Sequence, residues 1–139
     1  MGKINAGRVV MGGLLAGLVV NISESIMNLV VVAQPMADAL KKMNLPDMGG
    51  STIAGFIVMG FVLGIVTIWL YAAIRPRFGA NAQTAAIAGL AVWFFAYLYP
   101  GIGMAMVGMF SAKLTTVTLV WGLAEIVIGS VAGAWVYSE

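Results

Sequence analysis

The stretch Ile-Ala-Gly-Phe-Ile-Val-Met-Gly-Phe-Val-Leu-Gly-Ile-Val-Thr-Ile-Trp-Leu-Tyr-Ala-Ala-Ile, residues 53–74, decides the fold. It runs for 22 residues without a charge. A helix needs about 20 such residues to cross a hydrocarbon core. Three more apolar runs flank it, at 9–33, 82–99 and 114–137. None shows the strict alternation of a membrane strand. Without water to satisfy the backbone, a spanning segment must be helical. The expectation is an all-α polytopic integral membrane protein. It takes the form of a four-transmembrane-helix bundle that makes residues 1–139 a single domain.

The remaining composition agrees and excludes much chemistry. Of 139 residues, 62% are hydrophobic and 9% charged, against roughly 25% charged in a soluble domain. There is no cysteine and no histidine. Disulfides, thiolate metal sites and thiol nucleophiles are therefore excluded, as is histidine ligation of haem or chlorophyll. The net charge of +2 points to no nucleic-acid partner. No serine–base pair, phosphate loop or zinc spacing is present, so an enzyme is not expected, and neither is a cofactor of its own. The ten methionines read as flexible apolar filler rather than a copper path.

Cations set the expected orientation. Lys3, Arg8, Arg75 and Arg77 fall on one side, and Lys41, Lys42 and Lys113 on the other, where Asp38 and Asp47 offset them. The tight Arg75-Pro76-Arg77 turn weighs most, placing both termini in the cytoplasm of a bacterial inner membrane. In the first outer loop, Met36, Ala39, Leu40 and Met43 recur at helical spacing beside Lys41 and Lys42. That pattern predicts a short interfacial helix. The second outer loop, 100–113, reads as interfacial, re-entrant, or a bent continuation of span three past Pro100.

The small and polar residues form stripes. In span one they are Gly13, Gly17, Asn21, Glu24, Ser25 and Asn28. In span four they are Thr118, Gly122, Glu125, Gly129 and Gly133; span two adds Gly60 and Gly64. Glycines at such spacing let helix backbones approach where no hydrophobic effect drives association. Glu24 and Glu125 are the charged residues inside the spans. Glu24 lies nine residues before Ala33, about 14 Å deep, and Glu125 eleven after Leu114, about 17 Å deep. The helices run in opposite directions, so spans one and four are expected in contact, with the two acids at one depth and either near each other or facing a shared cavity. An ionised carboxylate there costs several kcal/mol. At least one acid is thus expected to hold its proton, donating to the other acid or to Asn21, Asn28 or Thr118. Tyr97, with Trp93-Phe94-Phe95, reads as lipid-facing belt.

The whole chain resembles small four-span bacterial membrane proteins of similar length. The resemblance rests on Asn21-Ile-Ser-Glu-Ser-Ile-Met-Asn28, on Trp69-Leu-Tyr-Ala-Ala-Ile-Arg-Pro-Arg-Phe-Gly79, on Trp121-Gly-Leu-Ala-Glu125 and on Gly133-Ala-Trp-Val-Tyr137. It implies no activity and carries no functional residue across. The chain differs from the small multidrug transporters, which also place a glutamate in the first of four spans but are shorter and surround it with another motif. The leading functional expectation is a non-catalytic accessory or scaffold subunit of a larger respiratory or photosynthetic complex. In that setting it would touch lipid, carotenoid, chlorophyll or quinone. The alternative is a small proton- or cation-coupled transporter or channel, as a homo-oligomer, working through Glu24 and Glu125.

Overall fold

A computed structural model describes residues 3–137; Met1, Gly2, Ser138 and Glu139, and with them the extreme termini of the expected domain, lie outside the described residues. The described chain is helical, without strands. In order it forms α1 (Ala6–Ile26), a π-helical turn (Met27–Val31), α2 (Ala33–Lys42) and α3 (Gly50–Phe78). Next come α4 (Ala82–Trp93), a second π-helical turn (Phe94–Leu98), α5 (Tyr99–Met106) and α6 (Ala112–Val136). Four continuous helices are long and apolar enough to cross a membrane: Ala6–Val31, Gly50–Phe78, Ala82–Met106 and Ala112–Val136.

The helix ends arise from particular residues. Asn5, Asn81 and Ser111 accept the backbone N–H of Arg8, Thr84 and Leu114, capping α1, α4 and α6. At the far end of α2, Asn44 adopts a left-handed conformation (φ 55°), and Leu45 N–H reaches back to Leu40 C=O. Gly108 (φ 79°) ends α5 in the same way, with Met109 N–H bonding Met104 C=O. Both are helix stops that satisfy carbonyls left open by the last turn.

The third membrane helix runs past its expected end at Tyr99 to Met106. Pro100 lacks the N–H that would bond Ala96 C=O, and its ring crowds that carbonyl. The π-helical turn Phe94–Leu98 contains Ala96 and widens the coil, with Tyr99 N–H bonding Phe94 C=O. The helix therefore continues past Pro100 instead of stopping. Pro35 stands in the same relation to Val31, the last residue of the first π-helical turn.

Close packing joins the long helices. A Cβ on Gly13 would run into the Ile65 backbone, and one on Gly17 into that of Phe61. A Cβ on Gly64 would run into the backbone of Gly13 and Gly17. On the other side of α1, Gly12 and Gly133 face each other with 2.5 Å between either added Cβ and the opposite carbonyl oxygen. Gly129 lies against Ala16 C=O, and Gly89 seats α4 on Ile126, Val127 and Ser130 of α6. Thus α1 packs on both α3 and α6, and α4 packs on α6 and α3. Backbone-to-backbone approach supplies the dispersion contacts that hold helices together in an apolar solvent.

Candidate functional site

The acids meet where α1, α6 and the π-helical turn of the third membrane helix converge. Glu125 is 3% exposed. Its Oε1 accepts the Tyr97 hydroxyl at 2.9 Å. Its Oε2 is buried and has no hydrogen-bond partner. Glu24 and Ser23 of α1 face the same carboxyl. Glu24 Oε2 accepts Asn28 Nδ2–H at 2.8 Å, and the same amide also donates to Glu24 C=O. Trp121 Nε1–H donates to Ser23 Oγ at 2.8 Å, tying α6 to α1 beside the acids.

Both side chains that donate to the acids sit in π-helical turns: Asn28 within Met27–Val31 and Tyr97 within Phe94–Leu98. A π-helical turn inserts an extra residue and rotates the helix beyond it, and such turns recur at functional sites. Gly122 lies one helical turn from Glu125, and an added Cβ there would strike the Tyr97 ring. The missing side chain thus makes room for the tyrosine that reaches the acid.

The other stripe residues divide between roles. Asn21 donates to Ile57 C=O of α3 at 3.1 Å and lies against Gly60, away from the acid pair. Ser25 turns its hydroxyl back to Asn21 C=O, a local bond at 2.8 Å. Thr118 donates to Thr115 C=O and lines a separate small cavity with Met36, Met104 and Phe110. The structure therefore joins Glu24, Glu125 and Asn28 and leaves Asn21, Ser25 and Thr118 outside the pair. Of the glycines, Gly13, Gly17 and Gly64 form the α1–α3 contact, and Gly129 and Gly133 the α1–α6 contact.

Ser23, Tyr97 and Trp121 join the site without a clear mark in the sequence. Ser23 and Trp121 differ from lipid-facing neighbours only in having polar atoms. The available signal for Tyr97 is its spacing from the span's end, which Pro100 obscures.

Beside the pair, α6 and α1 frame a groove of about 560 Å³. Val117, Val120, Trp121, Ala124 and Ile128 give it apolar walls, and Ser23 and Glu125 line it too. Val120 and Ile128 are 64% and 61% exposed, so the groove opens sideways toward the surroundings of the helices. No group of three or more acidic residues able to hold a metal is present among the described residues.

Compared with known proteins, the chain matches no family model, no curated protein and no solved structure.

Proposed function

We propose that the protein is a small proton-coupled membrane transporter in which Glu24 and Glu125 act as one coupling site. The observation that supports this most is the meeting of two acids from different helices, with Tyr97 and Asn28 donating to them. Every lysine and arginine lies outside the middle of the spans, at 3, 8, 41, 42, 75, 77 and 113. Carboxyls placed in a bilayer without a base are costly and mark proton or ion pathways by default. The protein is read as a multi-pass helical bundle of a bacterial inner membrane, with both termini cytoplasmic, and without catalysis. On this reading α2 lies at the outer interface, its Met36 and Met43 toward the helices and its lysines toward water.

Reconstituted in liposomes under an imposed pH gradient, the wild type is expected to carry protons. Glu24→Gln and Glu125→Gln are expected to stop that flux. Flux equal to wild type in both variants would remove the reading.

A second reading keeps the chain as an accessory subunit of a larger complex. Its support is the exposed outer side of α3, with Phe56, Val58, Met59 and Val62, which suits neighbouring helices as well as lipid. Native extraction followed by mass spectrometry is expected, on that reading, to recover stoichiometric partner subunits; purification always as a single chain type would count against it.

A further inference from the structure

Resting on the paired-acid reading, we propose that the α1–α6 groove binds a lipophilic organic cation that enters from the bilayer and replaces one proton of the Glu24–Glu125 pair. Three observations lead there. The groove, about 560 Å³, is within the size range of small-molecule pockets, roughly 300–1,000 Å³, and opens between exposed Val120 and Ile128. Trp121 lines it, and an indole ring attracts a cation through its quadrupole. At its edge stands Glu125, 3% exposed, with Oε1 engaged by Tyr97 and Oε2 without a partner.

The wall chemistry selects the ligand class. A small inorganic cation needs a shell of about six or more oxygen ligands, whereas the lining offers side-chain oxygens from Ser23, Thr116 and Glu125 alone and is otherwise apolar. A neutral lipophile would fill the walls but leave the acid pair unanswered. A cation whose charge is spread over an apolar shell suits both. It dehydrates at low cost, and in a low-dielectric site its attraction to a carboxylate acts over several ångströms without a direct hydrogen bond.

Charge balance defines the exchange. With no cation bound, an ionised carboxylate at this depth has no base to balance it and is costly. As the cation seats, one carboxyl O–H releases its proton to solvent and becomes the carboxylate that balances the new positive charge. The groups facing Glu125 are Glu24 and Ser23 of α1 and Tyr97 of the third membrane helix. The apolar stretch 53–74 of α3 carries no charged side chain that would take part.

The test uses the full chain in nanodiscs of neutral phosphatidylcholine, with radiolabelled tetraphenylphosphonium as probe and empty discs as the partition control. Saturable binding is expected, tightening about tenfold per pH unit as one proton is released per cation. Tetraphenylsilane, a neutral probe of the same shape, should not compete. Glu125→Gln keeps an acceptor for Tyr97 but no ionisable proton, and should weaken binding more than tenfold. Ala124→Phe fills the groove from an exposed position, leaves both acids in place, and should do the same.

Uptake no greater than in empty discs, affinity independent of pH, or wild-type affinity in either variant would overturn the proposal. Proton flux in liposomes separates the two claims. A chain that carries protons yet ignores the probe keeps the paired-acid function and loses this ligand class. A chain that binds the probe with the stated pH dependence but carries no protons keeps the site and loses the transport reading.

Discussion

A Gly64→Leu variant is expected not to bring its first two membrane helices together. A Cβ at 64 would already overlap the backbone of Gly13 and Gly17, and backbone cannot move aside as a side chain can. Gly13 and Gly17 meet the Ile65 and Phe61 backbones in turn, so the crossing leaves no slack on either helix. Overpacking a core typically costs 1–3 kcal/mol, and a backbone collision with a full leucine should reach at least about 3 kcal/mol. That is a large share of a native stability of roughly 5–15 kcal/mol. Gly55 provides the control, since nothing lies within 4 Å of an added Cβ there. Gly55→Leu should therefore leave stability within about 0.5 kcal/mol of wild type. Reversible unfolding in lipid bicelles reads both values. Equal stability of the two variants would show that the α1–α3 contact is not close-packed as described.

The second large effect concerns the acids as a unit. Glu24→Gln and Glu125→Gln should each lower proton flux by about a hundredfold or more, the scale on which a positioned proton-transfer group acts. The double variant should fall no further than the lower of the two. Groups that share one task are strongly non-additive, because removing either already removes the function. The shared surroundings motivate this. Glu24 faces Glu125, Asn28 holds one acid and Tyr97 the other, and Trp121 fixes Ser23 beside them. Losses that multiply in the double variant would mean two independent acids and would argue against a single coupling site.

Much of this arrangement is legible in the sequence, and the rest is hidden for physical reasons. Apolar length alone locates four helices, because a bilayer leaves an apolar run few alternatives. The stripe spacing places Gly13, Gly17 and Gly64 at a helix contact, and depth counting places Glu24 and Glu125 level with each other. From Leu114 to Glu125 the helix is regular, whereas between Glu24 and Ala33 the count crosses the π-helical turn Met27–Val31. Pro100 misleads, since a proline in a helical pattern ordinarily ends it. The π-helical turn Phe94–Leu98 absorbs the strain and carries the helix on to Met106. Tyr97 consequently lies well inside a span rather than at its rim, and it reaches Glu125 instead of lipid.

The polar stripe of α1 reads as one face in the sequence, although it serves two. Asn21 turns to Ile57 C=O on α3, while Glu24 and Asn28 turn to the α6 side. Helical spacing groups residues by angle, but a helix packed between two neighbours divides a wide stripe between them. Gly122 shows a related limit. Its place on the stripe suggests helix-to-helix contact, and its neighbour is the Tyr97 ring.

The most direct test of the claim that Glu24 and Glu125 form one site is the infrared spectrum of the lipid-reconstituted protein in the carboxyl region, compared across wild type and the two single glutamine variants. If the carboxyls interact as described, removing one must shift the band of the other. Their interaction predicts a displaced Glu125 band in Glu24→Gln and a displaced Glu24 band in Glu125→Gln. Two bands that disappear one at a time, each leaving the other at its wild-type position, would contradict it.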